Sequence, residues 1–182
     1  TDLLFYTILI SAAFFLFFSS LKELFFQKLN CSPQTISHFG FSLLILSILF
    51  NSILSSEFTT NIKIGEKYNF NKSEIFFEKI EEKKEINFNS IIGYFKITDE
   101  YGKVIQLKPE LRVYNQPKTI TSEADIKTTL LEDKFLVMNL VKGNEYFNIR
   151  YQRKSLMIWI WISVLLLSLG GLMSLFKKKY EK

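Results

Sequence analysis

Residues 1–20, 36–54 and 155–176 are apolar almost throughout, and nothing else in this chain constrains its fold as strongly. Each block falls in the range of roughly 17–25 residues that an α-helix needs to cross a hydrocarbon core. In lipid the backbone must bond to itself, so such blocks are expected to be helices. Residues 57–153 between the second and third blocks are different. Charged residues are 23% of the 182-residue sequence, and most of them sit in this middle segment. The expected fold class is therefore a membrane protein with α-helical spans plus an all-β extracytoplasmic domain, a small antiparallel barrel or sandwich.

The β assignment rests on short β-branched and aromatic runs at 61–64, 67–70, 74–80, 91–98, 104–107, 111–114, 135–140 and 145–151. Turn residues such as Tyr101-Gly102-Lys103 and Lys142-Gly143-Asn144 separate them. Residues 122–131 are expected to form a short helix, with Ser122 as its cap and Asp125 at the third helical position. The mixed charges of residues 78–85 read as a solvated hairpin or loop face.

Residues 21–35 link the first two spans. Leu21, Leu24, Phe25 and Leu29 recur at helical spacing while Lys22 and Lys28 face elsewhere, the pattern of a short interfacial helix, followed by a loop through Pro33. Cys31 is the only cysteine and reads as an ordinary loop thiol. The chain opens at Thr1 without a basic n-region or a small-residue cleavage site. It does not read as a signal peptide and is expected to be the C-terminal portion of a longer protein.

Several function classes find no support. There is no Gly-rich phosphate loop, no Ser/His/Asp set and no His/Cys metal spacing. The net charge of +5 is mild and the aromatics do not interleave with a Lys/Arg stripe, so no nucleic acid is expected as a partner. The lipid bilayer is.

One residue carries ligand chemistry. His38 is the only histidine, and it stands near the start of the second apolar block. Ionisable residues at membrane depth are costly and by default point to function, and imidazole is the commonest metal ligand. Ser37, Gly40 and Ser42 beside it are small enough to admit something flat and wide. His38, Ser42, Ile45, Leu49 and Ser52 share one helical stripe, which equally fits plain helix packing. The residues alone leave both readings open.

The third block carries Trp159 and Trp161 near its start and Gly170-Gly171 near its end. Tryptophans suit a membrane–water boundary, and paired glycines mark a close helix contact or a bend. Lys177-Lys178-Lys179 and the basic tail 177–182 vote for the inner side, with Lys22 and Lys28, whereas Arg150, Arg153 and Lys154 lie opposite. This places the β domain outside and His38 toward the inner side.

Taken in order, His38-Phe39-Gly40, then Pro109-Glu110-Leu111-Arg112-Val113-Tyr114, then Thr121-x-Glu123-Ala124-Asp125-Ile126, then Leu131-Glu132-Asp133-Lys134-Phe135-Leu136-Val137, and finally Trp159-Ile160-Trp161 and Leu169-Gly170-Gly171 form a series. This series resembles the C-terminal part of the cytochrome c maturation protein CcmF family, haem lyase subunits. The resemblance implies a portion of a subunit that holds a transmembrane b-type haem and takes part in attaching haem to apocytochrome c. It implies His38 as an axial ligand of the haem iron. The family's Trp-rich loop, its two external histidines and its second axial ligand have no counterpart here, so the second ligand would lie outside this chain. Implied partners are the N-terminal part of the same protein or its split partner, the haem chaperone CcmE, a CcmH-type protein and apocytochrome c. The implied location is the bacterial inner membrane or the mitochondrial inner membrane, with the β domain on the periplasmic or intermembrane-space side. No catalytic residue is assigned, consistent with a subunit that positions its substrates. The other reading of the same organisation is a membrane-anchored sensor or scaffold with an external β domain and no haem.

Overall fold

The computed structural model of the chain describes residues 2–26, 32–71, 73–141 and 145–180. These form α1 (Asp2–Phe26), α2 (Pro33–Leu54), β1 (Ser56–Ile62), β2 (Lys67–Phe70), β3 (Ser73–Lys84), β4 (Phe88–Thr98), β5 (Val104–Leu107), β6 (Glu110–Tyr114), β7 (Ile120–Glu123), β8 (Asp125–Thr128), β9 (Glu132–Leu140), β10 (Phe147–Ser155) and α3 (Met157–Tyr180). They fall into two compact units, one of helices and one of strands, and Thr129–Glu132 belongs with the helices.

In the helical unit, α1 runs unbroken to Phe26. No Gly or Pro interrupts residues 3–26, so nothing stops the helix where a separate interfacial helix was expected to begin. Residues 21–26 extend α1, residues 27–31, Cys31 included, lie outside the described residues, and Pro33, expected in a loop, opens α2. The start of α2 is fixed locally: the Ser32 hydroxyl accepts the Thr35 N–H at 3.1 Å and Pro33 occupies the first turn. Stretches Tyr6–Phe25, Pro33–Leu54 and Met157–Phe176 are long and apolar enough to cross a membrane.

Small residues set the helix contacts. Ala13, Ser20, Thr35, Ser42, Ser47 and Ser163 are buried. In lipid this is how backbones come close enough to pack. The hydroxyls of Ser20, Ser42 and Ser163 stay on their own helices, as Ser42 to the Phe39 carbonyl (2.9 Å) and Ser163 to that of Trp159 (2.6 Å). Between α1 and α2, Thr35 donates to the Glu23 carboxylate at 3.0 Å and the Phe17 and Phe39 rings meet at 5.2 Å.

The strand unit is the expected sandwich. Strands β1, β10, β9 and β8 form one sheet in that order; β2, β3, β4, β6 and β7 form the other, with β5 also on β4. Alternation puts Phe147, Ile149 and Tyr151 of β10 inward, against Ile75 and Phe77 of β3 and Phe95 and Ile97 of β4. Phe77 stacks on Phe95 at 4.2 Å and meets Phe147 edge-on at 5.3 Å. A bulge at Glu78 shifts the register, so that Phe77 pairs with Phe95 and Lys79 with Tyr94.

One expectation is corrected here. Residues 122–131 are not helical: β7 and β8 occupy them, β7 paired with β6 and β8 with β9. Ile120, Thr121, Ile126 and Thr128 are β-branched and the neighbouring strands offer free ladder edges, which outweighs a weak cap signature. The charged residues 78–85 form a solvated hairpin face, β3 being paired with β4. Most belong to β3, where Glu78 pairs with Lys96 (2.8 Å), Glu81 with Lys79 and Lys83 with Glu85 (2.7 Å) on the solvent face. The turn through 142–144 lies outside the described residues.

Candidate functional site in the helical unit

His38 lies five residues beyond Pro33, about 7–8 Å along the axis of α2 at 1.5 Å per residue. Its surroundings are set by its neighbours. A Cβ placed on Gly40 would stand 3.0 Å from Leu166 Cβ, 3.0 Å from the Leu167 nitrogen and 3.1 Å from the Ser163 carbonyl oxygen. A Cβ on Gly170 would stand 2.8 Å from the Pro33 carbonyl oxygen and 2.9 Å from the Ser37 nitrogen. So residues 33, 37 and 40 face α3 at backbone contact. At 100° per residue, His38 points away from that seam.

The small residues beside His38 therefore do not hold open a ligand space on their own side. Helix α3 covers Ser37 and Gly40, and Ser42, about 180° round α2 from that seam, is itself fully buried. His38 is exposed together with Gln34, Phe41, Ile48 and Ser52, spacings of three, four and seven that define an outward stripe. Ser42, one turn on from His38 and adjacent to it on the helix surface, is buried where His38 is exposed. Phe39, on the other flank, turns inward to Phe17.

Among the described residues His38 makes no hydrogen bond or ion pair. An unpartnered imidazole on an apolar outward stripe has a free ring nitrogen and a hydrophobic wall beside it. Such an imidazole would supply a single ligand to a haem iron, with Phe41 as an apolar neighbour on the same stripe. Among the described residues no group of three or more His, Cys, Asp or Glu is placed to hold a bare metal ion.

At the far end of α2 a second polar cluster was missed from the sequence. Asn51 donates its side-chain amide to the Ser155 carbonyl, and Ser155 N–H donates to the Ser55 hydroxyl at 3.1 Å. Leu156, in the left-handed region at φ 58°, turns the chain into α3 and donates its N–H to the Leu131 carbonyl at 2.8 Å. Trp159 donates its indole N–H to the Leu130 carbonyl, also at 2.8 Å. Asparagine near the end of an apolar block was the visible signal; its partner lies 104 residues away in sequence.

Residues 53–155 match the family model described as the CcmF C-terminal beta-sandwich. The chain is 25% identical over 146 residues to the cytochrome c-type biogenesis protein CcmF of Escherichia coli K12, across 80% of this chain and 23% of that protein. It is 23% identical over 178 residues to the cytochrome c-type biogenesis protein NrfE of Haemophilus influenzae, across 96% of this chain and 28% of that one. A solved structure named cytochrome c haem lyase CcmF superimposes with a TM-score of 0.61 at 20% identity, over 77% of this chain and 23% of that chain, a likeness of fold. The chain thus spans about a quarter of the length of these relatives.

Proposed function

The chain belongs to the CcmF family, and from that premise we propose that it is the C-terminal portion of a haem lyase subunit in which His38 serves as one axial ligand of a b-type haem held among transmembrane helices. The observation that carries the reading is the outward, unpartnered placement of His38 on α2. A haem bound there would supply one-electron redox chemistry. The chain's own residues do the rest. Gly40 and Ser37 lock α2 to α3 and so fix the direction of the imidazole, while Phe41 and Ile48 supply an apolar wall that excludes water. With one histidine in the chain, the second ligand comes from the N-terminal part or a split partner.

No side chain here is assigned as acid, base or nucleophile. Thioether formation adds substrate thiols across haem vinyl groups, so positioning of haem and apocytochrome c is the contribution asked of the subunit. The sandwich is the docking surface for the other maturation proteins, the haem chaperone and the CcmH-type protein among them. It exposes Val104, Ile120, Ile126 and Leu140 on its strands without a catalytic set. The sandwich faces the periplasmic or intermembrane-space side and the basic end of α3 faces inward.

The test is maturation of a reporter c-type cytochrome in cells lacking their own lyase subunit. This chain, supplied with its N-terminal part, restores covalent haem staining of the reporter. The N-terminal part alone does not. Equal staining without this chain rejects the assignment.

A further inference from the structure

The turn between β8 and β9 breaks ordinary turn chemistry. Thr129 and Glu132 close it, with Thr129 N–H donating to the Glu132 carbonyl at 2.9 Å and Glu132 N–H to the Thr129 hydroxyl at 3.1 Å. The two central residues are Leu130 and Leu131, 65% and 70% exposed. Two-residue hairpin turns favour Asn, Asp and Gly, which tolerate the backbone and suit water. A pair of leucines at a tip violates that rule, and such violations concentrate where function demands them.

The surroundings say what the tip meets. It is part of the same compact unit as the three apolar helices. Leu156 N–H and the Trp159 indole take up the Leu131 and Leu130 carbonyls, each at 2.8 Å, so those tip carbonyls are satisfied without water. That is the condition for backbone to enter a lipid boundary. The span Met157–Phe176 begins at the residue after Leu156, and Trp161 on its first turns is 65% exposed. Tip and tryptophans therefore share the outer limit of the span, where indoles partition. Behind the tip, Lys127 stands opposite Lys134 across the β8–β9 ladder. Apolar side chains at the tip suit the acyl boundary, and Lys127 and Lys134, one ladder step behind Asp133, stand at the depth of the phosphates.

We propose that Leu130 and Leu131 form a membrane-docking tip, inserted at the headgroup–acyl boundary beside the start of α3. Its occupant is lipid. The inference rests on the spans and not on the haem reading.

The test uses the full chain with its N-terminal part in nanodiscs of phosphatidylcholine and phosphatidylglycerol, with Cys31→Ser and one cysteine introduced at Leu131→Cys. An environment-sensitive fluorophore on that cysteine is expected to emit to the blue, to be quenched by lipids carrying a nitroxide near the headgroup, and to be shielded from iodide. The same label at Ile86→Cys, a position 95% exposed, is expected to behave in the opposite way. Quenching by iodide and not by nitroxide lipid at 131 places the tip in water and overturns the proposal. Shielding from both quenchers places it against protein and overturns it too. Leu130→Cys reads the same tip where Leu131→Cys does not yield folded protein.

Discussion

Gly170 of α3 lies against Ser37 of α2 so closely that a methyl group on Gly170 would stand 2.9 Å from the Ser37 backbone nitrogen. His38 is the next residue, so this contact determines which way the only imidazole in the chain points. The nearest obstructing atom is the Ser37 hydroxyl oxygen, and the Pro33 carbonyl oxygen and Ser37 nitrogen beside it are backbone with little freedom to yield.

Gly170→Ala is accordingly expected to push α2 and α3 apart. The cost is that of overpacking, about 1–3 kcal/mol. Gly171, one residue on, has nothing within 4 Å of its would-be Cβ. Gly171→Ala is expected to be neutral or slightly stabilising, because alanine is the better helix former. Thermal unfolding of the two variants in the same detergent separates them; equal midpoints would mean that the seam is not tight.

In the sandwich, Gly93 of β4 is expected to resist any side chain, since a Cβ there would stand 2.7 Å from Met138 Sδ and 2.7 Å from Phe95 Cε2. Gly93→Ala should lower stability, and Met138→Ala in the same chain should recover part of the loss, because the methionine is the obstacle most easily removed. A double-mutant cycle by denaturant unfolding reads the coupling. Strictly additive losses would show that the two sites do not meet. Phe77→Ala, by contrast, opens the centre of the core and is expected to cost about 3–5 kcal/mol.

Glu81 accepts from Lys79 and from the Tyr94 hydroxyl, the latter at 2.7 Å. The Lys79 hydrogen bond, then that of Tyr94, holds the Glu81 carboxyl below its ordinary value. The hydrogen bond to Glu81 raises Tyr94 above its own. For Glu81, with its folded value depressed, the contribution to stability is present above the unfolded carboxylate value of about 4.3 and is lost as pH falls through the folded one. For Tyr94, with its folded value raised, the contribution is full below about 10 and is lost as pH rises through the folded one. Tyrosinate absorbance, taken as the difference between wild type and Tyr94→Phe, is expected to develop at higher pH than in a Glu81→Gln background. Coincident titrations would remove the pair from the account.

At the C-terminal end of α2, Asn51→Leu removes the donor to the Ser155 carbonyl and leaves that oxygen without it. A loss of about 1–3 kcal/mol is expected, the cost of an unsatisfied buried group. Ser52→Ala, on the outward stripe, is expected to change little. Protease resistance near residues 155–156 checks both; an unaltered Asn51→Leu would mean that the Ser55 hydroxyl alone secures the junction.

The spans and most strands were legible because hydropathy and period-two alternation are local signals, as in Phe147, Ile149 and Tyr151. What was not legible depended on partners distant in sequence. Ser122 and Asp125 imitate a helix start, and only pairing with β6 and β9 makes them strand residues. Ser37 and Gly40 look like room for a ligand until α3 is seen to occupy it, and Ser42 is itself buried. The type of residue at the candidate site could be read, since a lone histidine in an apolar block stands out, but its direction required the Gly170 contact. The Leu130-Leu131 tip lay inside the misassigned helix, where two leucines attract no notice.

The most direct measurement is the reduced absorption spectrum of the membrane complex, this chain together with its N-terminal part, wild type beside His38→Ala. The account predicts a b-type spectrum in the wild type that is weakened or lost in the variant, with Gln34→Ala on the same stripe left at wild-type intensity. A complex that carries no haem, or a His38→Ala spectrum equal to wild type, would contradict it.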